Sequence, residues 1–266
     1  MKYLKPFNES TNISEIEAIC EKYNIKNYII NEDDSIDVDG NVDLFSKGLK
    51  VLPLKFRKVS GDFKCDYNQL ISLEGAPQSI GGYFNCISNH LTSLEGCPQY
   101  IGGSFYCSSN QLTSLEGAPQ RVGGVFDCGY NQLTSLEGGP QNIGGDFYCN
   151  SNQLTTLDGG PKRVGGNFYC RDNNLKNIDY LLKTYKKLGI KENPISKILD
   201  LFTKPDEYGL ISNREDKDLI MDFIDREMIQ QDILLVNRLV EFLYDIDKPK
   251  SKEELIELLK SDYKIR

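Results

Sequence analysis

"NQLTSLEGAPQRVGGVFDC", residues 110–128, is followed at residues 131–149 by "NQLTSLEGGPQNIGGDFYC". A near-copy displaced by twenty-one residues means that the chain is built of stacked units, each able to bury an apolar face only against its neighbours. Six units keep one register. Phe63, Phe84, Phe105, Phe126, Phe147 and Phe168 each precede by two residues Cys65, Cys86, Cys107, Cys128, Cys149 and Cys170. An Asn stands three residues past each Cys, at 68, 89, 110, 131, 152 and 173, and a Leu two past that. The unit is F-x-C-x-x-N-x-L-T-S-L-E-G-x-P-x-x-[IV]-G-G-x. Phe and Cys alternate with polar residues at period two, which predicts one short strand per unit with both side chains turned inward.

Each remaining position has a physical reason to recur. A buried Asn after the strand can donate to and accept from the backbone of neighbouring coils. Gly75, Gly96, Gly117, Gly138 and Gly159, each two residues before a Pro, read as turn punctuation. The pairs Gly81-Gly82 through Gly165-Gly166 are expected to let the chain re-enter the strand sharply.

The pattern extends past its obvious copies. Twenty-one residues before Phe63, Cys65, Leu70 and Leu73 stand Val42, Leu44, Leu49 and Leu52, so "VDLFSKGLKVL" reads as a degenerate first coil. Leu188, Ile190, Asn193 and Ile195 restore the pattern after a helix-prone insert, giving about eight coils between residues 40 and 197. An open stack needs covered ends. Residues 1–39 supply one, with an amphipathic helix around "SEIEAICEKY" and the runs "YII" and "SIDV" joined by "NEDD". Residues 198–266 supply the other. After Pro194 the segments "ISKILDLF", "DLIMDFIDREMI", "ILLVNRLVEFLYDI" and "KEELIELLK" carry helical apolar spacing and predict an all-helical end, either a cap or a small domain. That end holds seventeen Asp or Glu against eleven Lys or Arg.

Composition narrows the function classes. A formal net charge of −8 argues against general affinity for nucleic acid, which rests on basic side chains neutralising phosphates. No basic-then-apolar leader opens the chain and no eighteen uncharged apolar residues run together, so a cytoplasmic protein without a membrane partner is expected. The cysteines lie twenty-one residues apart rather than in the close pairs of a structural metal site, and read as small core hydrophobes; Cys97, outside the row, reads as an incidental thiol. Asp37, Asp39, Asn41 and Asp43 alternate as in a calcium loop, but such a loop centred on Gly40 would begin and end on Ser35 and Ser46. The stretch reads as a surface edge strand. His90 is the only histidine and has no nucleophile to serve, and no phosphate-binding glycine motif follows the glycine pairs. Glu74, Glu95, Glu116, Glu137 and Asp158 form an acidic ladder that reads as a solvated face. No catalytic residue, cofactor or metal is expected.

The outward strand positions remain. Each unit contributes one Tyr among Ser, Asn and Asp, a composition that resembles a binding paratope: Tyr offers contact area at low entropic cost and small polar residues adapt their hydrogen bonds. Candidate partner-binding residues are Tyr67, Tyr83, Asn85, Tyr106, Asp127, Tyr130, Tyr148, Asn150, Tyr169 and Arg171. These positions vary between units while the inward ones do not.

The core F-x-C-x-x-N-x-L resembles the leucine-rich-repeat signature L-x-L-x-x-N-x-L, with Phe and Cys in place of Leu. "NQLTSL" is similar to the repeats of bacterial secreted effectors, although the continuation "EGAPQRVGG" departs from their Leu-Pro pair. Units of the type "GGDFYCNSNQLTTLDGGP" more closely resemble leucine-rich-repeat-like proteins encoded by tailed bacteriophages and some bacteria, over roughly residues 35–200. The ubiquitin-ligase activity of some effectors is not carried over, because no Cys follows Cys170. The resemblance implies an α+β repeat solenoid: a leucine-rich-repeat-like stack with a parallel sheet, a helix-hairpin cap and a helical C-terminal segment. The expected function is a non-enzymatic protein-binding module gripping a host or viral protein, as a phage inhibitor of a host defence protein would. The alternatives are a structural, self-associating protein and capture of a small ligand such as a nucleotide or sugar.

Overall fold

A computed structural model describes residues 13–176, 188–190, 193–201, 203, 210–211, 220, 229–230, 233–234, 236–246, 248 and 250–265. The segment "DLIMDFIDREMI" and the insert before Leu188 lie largely outside the described residues. The repeats form a β-solenoid. Six turns, from Phe56 to Tyr169, each carry two short strands, one in each of two parallel sheets. The expectation of one strand per unit is therefore corrected. A second ladder runs through Ser79–Ile80, Tyr100–Ile101, Arg121–Val122, Asn142–Ile143 and Arg163–Val164, paired in strict register. The first runs through Phe63–Lys64 and its equivalents to Phe168–Tyr169, with Val42–Asp43 pairing in parallel at one end and Leu188–Gly189 at the other.

The core between the sheets is a set of side-chain columns. Phe84, Phe105, Phe126, Phe147 and Phe168 stack with ring centroids 5.1 to 5.6 Å apart. Cys86, Cys107, Cys128 and Cys149 are fully buried beside them, as are the Leu columns. Several thiols donate weakly to the next coil, as from Cys128 Sγ to the Tyr148 carbonyl at 3.4 Å. Burial pushes these thiols well above the ordinary cysteine range, so they stay protonated and unreactive. Cys97 is also buried, 4 % exposed.

The Asn column bonds one coil to the next. Asn110 Nδ2 donates to the carbonyls of Cys86, Cys107 and Ser108, and its Oδ1 accepts the Leu91 amide. The residue before each Asn takes a left-handed conformation, with φ between 52° and 55° at Tyr67, Ser88, Ser109, Tyr130, Ser151 and Asp172. The glycines before the prolines are left-handed too, as the turn reading expects, with φ of 87° at Gly75 and 79° at Gly138. The glycine pairs have another purpose than sharp re-entry. At Gly81, Gly102, Gly123, Gly144 and Gly165 an added Cβ would lie 2.0 to 2.3 Å from a carbonyl oxygen one coil back. Glycine is needed there for close approach of successive backbones.

At the N-terminal end, helix Ile13–Lys22 buries Ile16 and Cys20, and Tyr28–Ile30 pairs antiparallel with Ile36–Val38. The stretch expected at a sheet edge is divided: Ile36–Val38 is interior, pairing with Tyr28–Ile30 on one side and Phe56–Val59 on the other, whereas Val42–Asp43 is the edge strand of the Phe-bearing sheet. Its polar side chains are engaged: Asp37 pairs with Arg57, Asp39 Oδ1 accepts from Ser60 Oγ at 2.8 Å, and Asn41 Oδ1 accepts the Asp62 amide at 2.8 Å.

The C-terminal segment is not all-helical. Ser196–Leu199, Val236–Asp245 and Lys252–Leu259 are helices, the last begun by a Ser251–Glu254 capping box. Ile229–Gln230, Ile233–Leu234 and Lys264–Ile265 form a small sheet, and Leu210–Ile211 pairs antiparallel with Leu188–Gly189. Among the described residues, no helix is long and apolar enough to cross a membrane.

Candidate binding surface

The two-residue strands of the Phe-bearing sheet turn Phe inward and the next residue outward. Parallel in-register pairing lines up Lys64, Asn85, Tyr106, Asp127, Tyr148 and Tyr169 in one row. Neighbours in such a row are about 4.8 Å apart, close enough for rings to pack directly. Tyr148 and Tyr169 stack with centroids 4.5 Å apart and planes at 5°. Tyr83, just before its strand, meets Tyr106 edge to face at 6.2 Å, and Lys64 Nζ lies 5.8 Å from the Tyr83 ring. Asp127 sits between these two aromatic pairs.

Hydrogen bonds fix the row. The Tyr148 hydroxyl donates to Asp146 Oδ2 at 3.2 Å, and Asn167 Nδ2 donates to the Tyr169 hydroxyl at 3.0 Å. Burial and Asp146 push the Tyr148 phenol up, so it remains a donor at neutral pH. Asp127 accepts from the Gly129 amide through Oδ1 and from Ser108 Oγ through Oδ2, both at 2.9 Å. Burial raises its carboxyl above the usual range, against the lowering effect of those two bonds.

The ten sequence-derived candidates do not all share one register. Asn85, Tyr106, Asp127, Tyr148 and Tyr169 share the row, and Tyr83 joins it by contact. Asn150 and Arg171 lie two positions further along their strands' path, where Asn150 Oδ1 accepts the Arg171 amide at 2.9 Å and so serves the coil. Tyr67 and Tyr130 stand on the left-handed turns and are the most exposed of the set, at 58 % and 66 %. Tyr67 packs edge to face on Phe45, with centroids 5.5 Å apart. His90 and the ladder Glu74, Glu95, Glu116, Glu137 and Asp158 are exposed.

Two features escaped the sequence reading. Asn41, Asp62, Ser104 and Asp146 each accept, through a side-chain oxygen, the amide of the residue twenty-one places on, at 2.7 to 3.0 Å. These polar residues build the coil rather than await a ligand. On the opposite sheet, Arg121, Asn142 and Arg163 line a groove of about 480 Å³ floored by Gly123, Gly144 and Gly165. The signal for it was the column of outward residues preceding each [IV]-G-G. Among the described residues no group of three or more His, Cys, Asp or Glu could hold a metal ion.

No family model, curated protein or solved structure matches the chain.

Proposed function

We propose that the chain is a non-enzymatic protein-binding module and that the tyrosine row is its grip. The observation that carries this is the pairing of Tyr83 with Tyr106 and of Tyr148 with Tyr169 on strands held in strict register. Large amphipathic rings whose rotamers are already fixed lose little entropy on binding, which is the economy of a paratope. Variation along the row, from Lys64 through Asp127 to Tyr169, fits recognition of one asymmetric partner. In this reading the segments around Val42 and Leu188 complete a leucine-rich-repeat-like stack of about eight coils, and the terminal segments close its ends. The likeness of the units to phage-encoded repeats makes a host protein the partner we propose, with inhibition or redirection of a defence protein as its purpose.

The test is affinity capture from bacterial lysate by the wild-type chain and by a Tyr106→Ala, Tyr148→Ala, Tyr169→Ala variant. A protein retained by the wild type and lost by the folded variant supports the grip. Equal retention by both removes it.

A further inference from the structure

We propose that the notch at Asp127 receives a basic side chain of the partner, an arginine in preference to a lysine; the proposal rests on the binding role of the same row. Asp127 pairs in register with Tyr106 on one side and Tyr148 on the other. The flanking strands are therefore about 10 Å apart, at twice the strand spacing. A flat group held between two rings needs about 7 to 8 Å, since stacked atoms settle 3.5 to 4 Å apart. Each wall is held by its own partner, Tyr148 by Tyr169 and Tyr106 by Tyr83, so the gap does not fill itself. The short Asp side chain leaves the carboxylate as its floor.

The floor is aimed. The Gly129 amide and the Ser108 hydroxyl each hold one oxygen of Asp127, which fixes the plane of the group. A carboxylate has about four acceptor positions, so each oxygen keeps one for a further donor. Two parallel acceptors match the forked donors of a guanidinium, whose plane can also lie along a tyrosine face. No described cation occupies the notch: the pairs Lys55–Asp33, Arg57–Asp37, Lys197–Asp262 and Lys260–Glu257 lie elsewhere, and Asp127 forms no ion pair with a described residue. A partly desolvated carboxylate without a counter-charge is a cost to the fold, of the kind that persists at recognition sites.

The proposal is tested on the isotope-labelled full chain by titrating N-acetyl-arginine amide and, separately, its uncharged isostere N-acetyl-citrulline amide, following the Gly129 amide and the Tyr106 and Tyr148 rings by NMR. The expected result is a saturable shift with the arginine compound and none with citrulline. Asp127→Asn, which can still accept from Gly129 and bond Ser108, should weaken the arginine effect by about tenfold or more, the scale of one charge-assisted pair. That variant should melt no lower than the wild type. Equal shifts with both compounds, or an arginine response unchanged in Asp127→Asn, would overturn the notch. If that happens while the triple tyrosine variant still loses its partner, the row stands and only the arginine assignment falls.

Discussion

The side-chain amide of Asn110 donates to the carbonyl of Cys86, one coil back, at 3.0 Å, and the same contact recurs from Asn131 to Cys107 and from Asn152 to Cys128. One residue per turn thus satisfies backbone groups that the coil's bend withdraws from both sheets. Asn110→Ala strips four hydrogen bonds and leaves the Leu91 amide buried without its acceptor. The expected loss is about 2–4 kcal/mol, read from the shift of the denaturation midpoint. Gln111→Ala, on the adjacent exposed position, should stay within about 0.5 kcal/mol.

Gly144 and Gly48 separate two reasons for glycine. At Gly144 an alanine Cβ would lie 2.1 Å from the Gly123 carbonyl oxygen, so the coils must part. Gly48 is left-handed, with φ of 67°, but nothing lies within 4 Å of its Cβ position. Gly48→Ala should cost about 1–2 kcal/mol from backbone strain alone. Gly144→Ala should cost more than twice that, and thermal melts of the two variants against the wild type decide it.

Asp66 is 6 % exposed and its Oδ1 is buried without a hydrogen-bond partner. Burial raises its carboxyl above the ordinary value, with Asp43 adding to the effect. The folded pKa lies above the unfolded one, so the protonated form favours folding. Its contribution is fully present below about pH 3.9 and is lost as pH rises through the raised folded value. Asp66→Asn should therefore melt above the wild type at pH 7. Melting curves from pH 7 down to pH 3.5 should show that advantage shrinking, whereas a constant difference would point away from the carboxyl's charge.

The period, the inward Phe, Cys and Leu columns and the bonding of the Asn were legible because each recurs at one position in six units. The second sheet was not. From Ser79 onward its strands are two residues long, as in Arg121–Val122, too short to display a period of two, and the following Gly-Gly reads as a turn until the approach of Gly144 to Gly123 is known. The tyrosines were legible as outward residues, but their grouping was not. Tyr67 and Tyr130 leave the row because the residue before each Asn turns left-handed, a bend that Ser, Asp and Tyr occupy alike. At the C-terminal end, the apolar residues of "MIQQDILL" satisfy helical spacing and strand alternation together. Among its described residues, Ile229–Gln230 and Ile233–Leu234 are strands that pair antiparallel.

The most direct test of the tyrosine row compares the two outward faces of the solenoid against one captured partner. Equilibrium binding would be measured for the wild type, for the Tyr106→Ala, Tyr148→Ala, Tyr169→Ala variant, and for an Arg121→Ala, Arg163→Ala variant that alters the groove on the opposite sheet. Removing aromatic anchors from the centre of an interface should weaken binding by about 100-fold or more, with the groove variant within about twofold of the wild type. A partner that tolerates the loss of the tyrosines and is released by the loss of the arginines would contradict the account.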